Sequence, residues 1–280
     1  MKTRFPADVT TAFAWLLGAT VFLTAQLVRA DEFMYGVTAL DIHNGTLLGV
    51  NIRTGESHEI GPHGMGLGLN FLVSLAARPS DGELFADCNA PSFANGLVSV
   101  SRATGLATSI GQNNLLNELA FDAKGILYTQ IVPPIGGAVG PIGLVNIADG
   151  STTPLSGPEI PRLFGLAYNS GDGFLYGLTF DNLLYKLSTT GQVVSSIQVS
   201  STEVPGAIAF DRNGQLICTD IVDRLFDINL IEGSIGNIRF TSDGSSGYRP
   251  QGLAPMIPEP TTSVSVAIAL AMLLVRYRIT

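Results

Sequence analysis

Charge is scarce in this chain. Asp, Glu, Lys and Arg together make up 14% of 280 residues, too few for a long disordered segment held open by self-repulsion. Two cysteines, Cys88 and Cys218, cannot staple a fold of this size, so the core must hold itself together. The three histidines, His43, His58 and His63, fall in the first quarter of the sequence. Zinc needs three or four ligands in a defined geometry. No cysteine or further histidine lies near His58 and His63, so no metal site is expected and the histidines read as exposed loop residues. The Gly-rich stretches at 61–68 and 136–140 are not phosphate loops: the first lacks the Lys-Ser/Thr ending and the strand-to-helix context that phosphate cradling requires, and the second reads as a mobile rim loop. Neither a Gly-x-Ser-x-Gly nucleophile elbow nor a calcium loop of alternating acidic residues is present, and no cofactor is implied. Helical periodicity is essentially absent between the two ends of the chain.

What the chain does have is a repeat. An apolar segment with a central alanine recurs as Leu75-Ala76-Ala77, Leu119-Ala120-Phe121-Asp122, Leu166-Ala167-Tyr168, Ile208-Ala209-Phe210-Asp211 and Leu253-Ala254-Pro255, its alanines 44, 47, 42 and 45 residues apart. A polar turn closing on glycine recurs in step at Gly55, Gly105, Gly150, Gly191 and, in a weaker form, Gly233. Between these markers lie short apolar runs, opened by turn glycines at Gly82, Gly125, Gly173 and Gly214. Each period thus holds four short strands joined by hairpins. A four-stranded unit repeated at 40–50 residues is the signature of a β-propeller blade. The small alanine suits the first strand of each blade, where blades converge on the axis. The all-β expectation is a five-bladed propeller, with an irregular sandwich or a six-bladed ring as alternatives.

The phase of the repeat predicts how the ring closes. Phe33-Met34-Tyr35-Gly36 matches a second strand with no first strand before it, and residues 251–256 form a first strand with nothing after it. Pairing them completes the first blade, ties the two ends together and removes free edges. Cys88 and Cys218 then fall on non-neighbouring blades, as two free buried thiols.

The ends read as addresses. Lys2 and Arg4 precede a mostly apolar stretch over 12–28, and Val28-Arg29-Ala30 offers small residues at −3 and −1. This is the pattern of a secretory signal peptide over 1–30, cut before Asp31. At the other end, Pro258-Glu259-Pro260 is followed by an apolar run from Val264 to Val275 and then Arg276, Tyr277 and Arg278. The run is shorter than the roughly 20 residues of a stable membrane span, and the arginines would stay on the cytoplasmic side. Residues 258–280 resemble the PEP-CTERM sorting signal of certain Gram-negative bacteria. That resemblance implies recognition and cleavage near the triplet by an exosortase-type membrane protease, with the tail in the membrane until processing; an ordinary C-terminal anchor is the alternative. The propeller domain would then be 31–257. Its repeats, in Gly173-Phe174-Leu175-Tyr176-Gly177 and Leu183-Leu184-Tyr185-Lys186-Leu187, resemble those of exported propeller-like proteins that carry such tails. The stretch 132–141 and the turn at Gly233 depart from that pattern.

With both ends removed, ten basic residues stand against 21 acidic ones, a formal charge of −11. Such a surface repels phosphate backbones and excludes nucleic acid as a natural partner. Asp81, Asp122, Asp172 and Asp211 sit at or just ahead of turn glycines, where aspartate hydrogen-bonds its own backbone. A ring of metal-binding carboxylates is the weaker reading. Glu118 stands out, because it occupies the position before the strand leucine where other repeats have Ser74, Gly165, Ala207 and Gly252. In that register it faces the central channel, where a carboxylate can bind ligand hydroxyls or a cation. Arg162, Glu203 and Arg249 precede the first strands of later blades and are candidates for a shared rim. The functional expectation is an exported, non-enzymatic binding protein of the cell envelope or extracellular matrix, engaging exopolysaccharide or surface proteins. A propeller hydrolase or lyase acting in the channel around Glu118 is the alternative.

Overall fold

The computed structural model describes residues 33–38, 45–64, 71–89, 96–113, 116–132, 138–201, 203–241 and 250–257. The expected signal peptide, His43, Arg249 and the whole of the sorting tail, including Pro258, Glu259, Pro260 and Arg276, lie outside them. Among the described residues no helix is long and apolar enough to cross a membrane.

The chain begins with β1 (Phe33–Thr38), β2 (Thr46–Asn51) and β3 (Ser57–Pro62), three strands of the first blade. The second blade is β4 (Phe71–Ala77), β5 (Leu84–Asn89), β6 (Gly96–Val100) and β7 (Ala107–Gln112). The third is β8 (Leu116–Phe121), β9 (Leu127–Ile131), β11 (Ile142–Val145) and β12 (Thr152–Pro154), with β10 (Val139–Gly140) intervening. β10, at the end of the Gly/Pro insertion of this repeat, pairs instead with β13 (Ile160–Pro161) in a two-stranded ribbon. The fourth blade is β14 (Leu163–Asn169), β15 (Phe174–Thr179), β16 (Leu183–Leu187) and β17 (Val193–Gln198). The fifth is β18 (Pro205–Phe210), β19 (Leu216–Asp220), β20 (Arg224–Ile228) and β21 (Ile235–Phe240), and β22 (Pro250–Pro255) follows it.

β22 pairs antiparallel with β1, Met34 opposite Pro255, Tyr35 opposite Ala254 and Gly36 opposite Leu253. It is the inner strand of the first blade, so five four-stranded antiparallel sheets close into a ring whose first sector comes from both ends of the described chain. This is the five-bladed architecture that the repeat predicts. Closure does not remove every edge: β3, β7, β12, β17 and β21 are each paired on one side only. The outermost strand of a radial blade has no further neighbour, and these edges are instead kept short, at three to six residues.

The periodicity explains the packing. Side chains alternate across a strand, so each blade presents one face to the preceding blade and one to the next. The marker alanines face forward and the adjacent leucines face back. Ala254 packs with Leu75 between the first and second blades. Ala76 packs with Leu119 between the second and third, and Ala120 with Leu166 between the third and fourth. Ala167 packs with Ile208, and Ala209 with Leu253, completing the circle. Each interface is one hydrophobic cluster, and each full aliphatic side chain buried there contributes about 1.5–3 kcal/mol. Inner strands approach most closely one position before the leucines. A Cβ on Gly165 would lie 2.8 Å from the Ile208 backbone nitrogen, and one on Gly252 2.7 Å from that of Leu75. Glycine is required there by proximity. At Gly55, Gly105, Gly150, Gly191 and Gly233 it is required by conformation, since all five have φ between 68° and 83°.

Cys88 and Cys218 are buried free thiols in the second and fifth blades, as expected. His58 is exposed, but His63 is only 4% exposed and packs over Gly45, so the reading of it as an exposed loop residue is corrected. Burial lowers its pKa.

Candidate functional site at the axis

The inner strands run parallel to the axis, and the two ends of the axis differ in chemistry. Where these strands finish lies a cup of about 390 Å³. Its walls include Leu75, Leu119, Leu166, Ile208 and Leu253, one from each blade. The turn aspartates stand at this end. Asp122 Oδ1 accepts from the backbone N–H groups of Lys124 and Ile126, both at 2.9 Å. Asp211 Oδ1 accepts from those of Asn213 and Gln215 at 2.9 and 2.7 Å. Asp81 and Asp172 accept in the same way from Glu83 and Phe174. These carboxylates are occupied with building their turns, and among the described residues no group of three or more His, Cys, Asp or Glu side chains could hold a metal ion.

Where the inner strands start, the lining turns polar. Two positions beyond the partner of each marker alanine, the second strands carry Val37, Asp87, Gln130, Leu178 and Thr219. All five face forward onto the next blade. Val37 and Leu178 fill that space with hydrocarbon. Gln130 bridges it: its amide donates to the Ile160 and Pro161 carbonyls at 3.0 Å, and its carbonyl accepts from the Leu163 N–H at 2.8 Å. Thr219 donates to the Pro250 carbonyl at 2.9 Å. Asp87 does neither. Its side chain is 5% exposed, makes no hydrogen bond among the described residues, and stands cross-strand from Ser74, whose buried hydroxyl also has no partner.

Glu118 meets Asp87 in this interface. In four blades the inner strand carries a bulge three residues before the marker alanine, at Val73, Phe164, Gly206 and Gln251. In the third blade the bulge has slipped one position, so that Glu118 itself is the unpaired residue, at φ 60°. A non-glycine residue in the left-handed region costs about 1–2 kcal/mol, and bulges of this kind re-aim a side chain. Glu118 is 8% exposed and likewise makes no side-chain hydrogen bond among the described residues.

Burial therefore sets the protonation of the pair. It pushes Asp87 up to about 8, against the pull of Arg162, and raises Glu118 well above the carboxylate range, with the Asp87 charge adding to the effect. Asp220 makes the contrast. It is fully buried too, yet it accepts Arg224 Nε at 2.6 Å and two backbone N–H groups at 3.0 Å. Asp220 is thus satisfied by the fold, whereas Asp87 and Glu118 find no hydrogen-bond partner among the described residues.

Arg162 stands exposed between β13 and β14, its Nε donating to Asn117 Oδ1 at 3.1 Å. Asn117 in turn donates to Gln130 and to the Leu163 carbonyl, so the guanidinium is fixed by the junction of the third and fourth blades. The structure thus gathers Glu118 and Arg162 at one end of the axis. It adds Asp87, which sequence reasoning missed. The available signal was an acid in the apolar run Leu84–Cys88, at a repeat position that elsewhere holds Val37 and Leu178. Glu203 is half-buried ahead of β18, held through its backbone by Ser201 and Asn182, and forms no ion pair with Arg162. Arg249 lies outside the described residues.

No protein-family model matches the chain, and no curated protein matches it. Among solved structures, a chain of a nidogen/laminin complex is similar at 11% identity and a TM-score of 0.52, covering 79% of this chain and 97% of that one. A gluconolactonase of Xanthomonas campestris is similar at 12% identity and a TM-score of 0.47, covering 78% and 76%. A Bacteroides caccae protein of unknown function is similar at 18% identity and a TM-score of 0.44, covering 74% and 71%. At these identities the likeness speaks to the fold alone; the ring of five four-stranded antiparallel sheets by itself makes the chain a β-propeller.

Proposed function

We propose that this propeller is an exported, non-enzymatic binding protein of the cell envelope or extracellular matrix, and that it engages a hydroxyl-rich ligand such as exopolysaccharide at the polar end of its axis. The observation that carries the reading is the pair Asp87 and Glu118: two buried carboxyls that make no side-chain hydrogen bond among the described residues and feel the charge of the exposed Arg162. Protonated carboxyls both donate and accept hydrogen bonds, and Arg162 adds a fork of donors, a set that matches sugar hydroxyls. The signal-like start and the Pro258-Glu259-Pro260 tail support export and handling by an exosortase-type protease, with membrane contact through the tail before processing. The strongly acidic composition argues against nucleic acid.

Binding of the full chain to a glycan array tests this reading. Signal without turnover, reduced at least tenfold by Arg162→Gln or by Glu118→Ala, is the expected result; no signal on any glycan overturns it. The same carboxyl pair also favours a second reading, a hydrolase or lyase in which one protonated carboxyl acts as general acid. Turnover of a bound glycan that Glu118→Ala abolishes would establish that alternative.

A further inference from the structure

The opposite end of the axis carries a second site. Its cup is walled by one aliphatic side chain from each blade together with four of the five marker alanines. Its charged groups are committed elsewhere: Asp122 and Asp211 to their own turns, and Arg212 to the Met256 carbonyl at 2.9 Å. Tyr168 and Ser170 add two hydroxyls to the lining, and the rest of the wall is mainly hydrocarbon. Sugars are disfavoured by that chemistry, because most of their buried hydroxyls would lose water without replacement. An aliphatic occupant gains from burial.

The chain itself supplies one. Met256 and Ile257 line the cup, and Arg212 holds the Met256 carbonyl, so the described chain ends at its mouth. Six residues, 258–263, separate Ile257 from the apolar run Val264–Val275. That spacer reaches at most about 20 Å, which holds the run beside the cup at an effective concentration in the millimolar range. In water this run, with only Ser265 polar among twelve residues, needs cover. We propose that the cup is the docking site for aliphatic side chains of the segment 264–275 of the same chain, sheltering it while the protein is in water. The inference does not depend on what binds at the polar end.

Disulfide trapping in the full chain, in detergent-free buffer, tests it. Ala123 is exposed on the cup rim, and Val222 is exposed in the β19–β20 turn at the far end of the axis. Cys88 and Cys218 are buried, with thiols pushed up by burial, and do not compete for mild oxidant. Ala123→Cys with Leu270→Cys is expected to form an intramolecular disulfide at least tenfold faster than Val222→Cys with Leu270→Cys. Adding Ile268→Asp and Leu273→Asp, which leave the propeller untouched, is expected to erase that difference. Equal rates at the two ends, disulfides only between chains, or a preference that survives the two aspartates would each overturn the proposal.

Discussion

Replacing Asp87 with asparagine removes a buried ionisable group whose charged form burial penalises, and the effect can be worked out in advance. In the unfolded chain an aspartate titrates near 3.8, whereas in the folded protein burial beside Glu118 raises Asp87 to about 8, with Arg162 alone pulling it down. A carboxyl whose folded pKa is raised gives its full stability below the unfolded value and loses it as pH rises towards the folded value. Each pH unit in that window costs about 1.4 kcal/mol. From pH 4 to pH 7 the wild type should therefore lose up to ~4 kcal/mol through this group, out of a total stability of about 5–15 kcal/mol. Asp87→Asn should match the wild type near pH 4 and exceed it by several kcal/mol at pH 8. Glu118 is relieved at the same time, since the Asp87 charge raises it. Guanidinium denaturation of both proteins from pH 4 to 9 reads the difference directly, because contributions from Asp81 and Asp172, both lowered by their own hydrogen bonds, cancel between them. A difference that stays flat across that range would refute the reasoning, as would a variant less stable than the wild type at pH 8.

Three further outcomes follow from the geometry. Glu118→Gly, which removes left-handed strain at φ 60°, should stabilise the fold by about 1 kcal/mol, raising the melting temperature by about 2–4 °C, while weakening glycan binding. Calorimetry and the array read the two effects separately. Gly165→Ala places a methyl 2.8 Å from the Ile208 nitrogen and should destabilise by about 1–3 kcal/mol, lowering the melting temperature by several degrees. Both thiols should resist Ellman's reagent in the native protein and react fully in denaturant, since each is buried and Cys88 is pushed up to about 11.

The ring was legible in the sequence because the physics that builds it is local and repeated. Small residues mark the crowded inner strands, glycines mark positive φ at every outer hairpin, and the phase of the markers exposes the shared first blade. The polar end was legible in part. Glu118 broke the pattern of small residues at its repeat position and so was visible, and Arg162 was placed near it by the same alignment. Asp87 was hidden, because its importance depends on what faces it from the next blade, and the absence of a hydrogen-bond partner for it among the described residues is a fact of three-dimensional packing. The slipped bulge at Glu118 was equally hidden: one residue's choice between pairing and bulging leaves no trace in composition. The outer edges went unanticipated because closing a circle of blades is not the same as closing a barrel of strands.

Hydrogen exchange of the peptide spanning Gln251–Ala254, read by mass spectrometry beside peptides from β14 and β18, tests the closed wheel most directly. If β22 completes the first blade, its amides should exchange with the same slow, cooperative opening as those two inner strands. Exchange of β22 within seconds, while β14 and β18 stay protected, would mean that the ends of the chain do not share a blade.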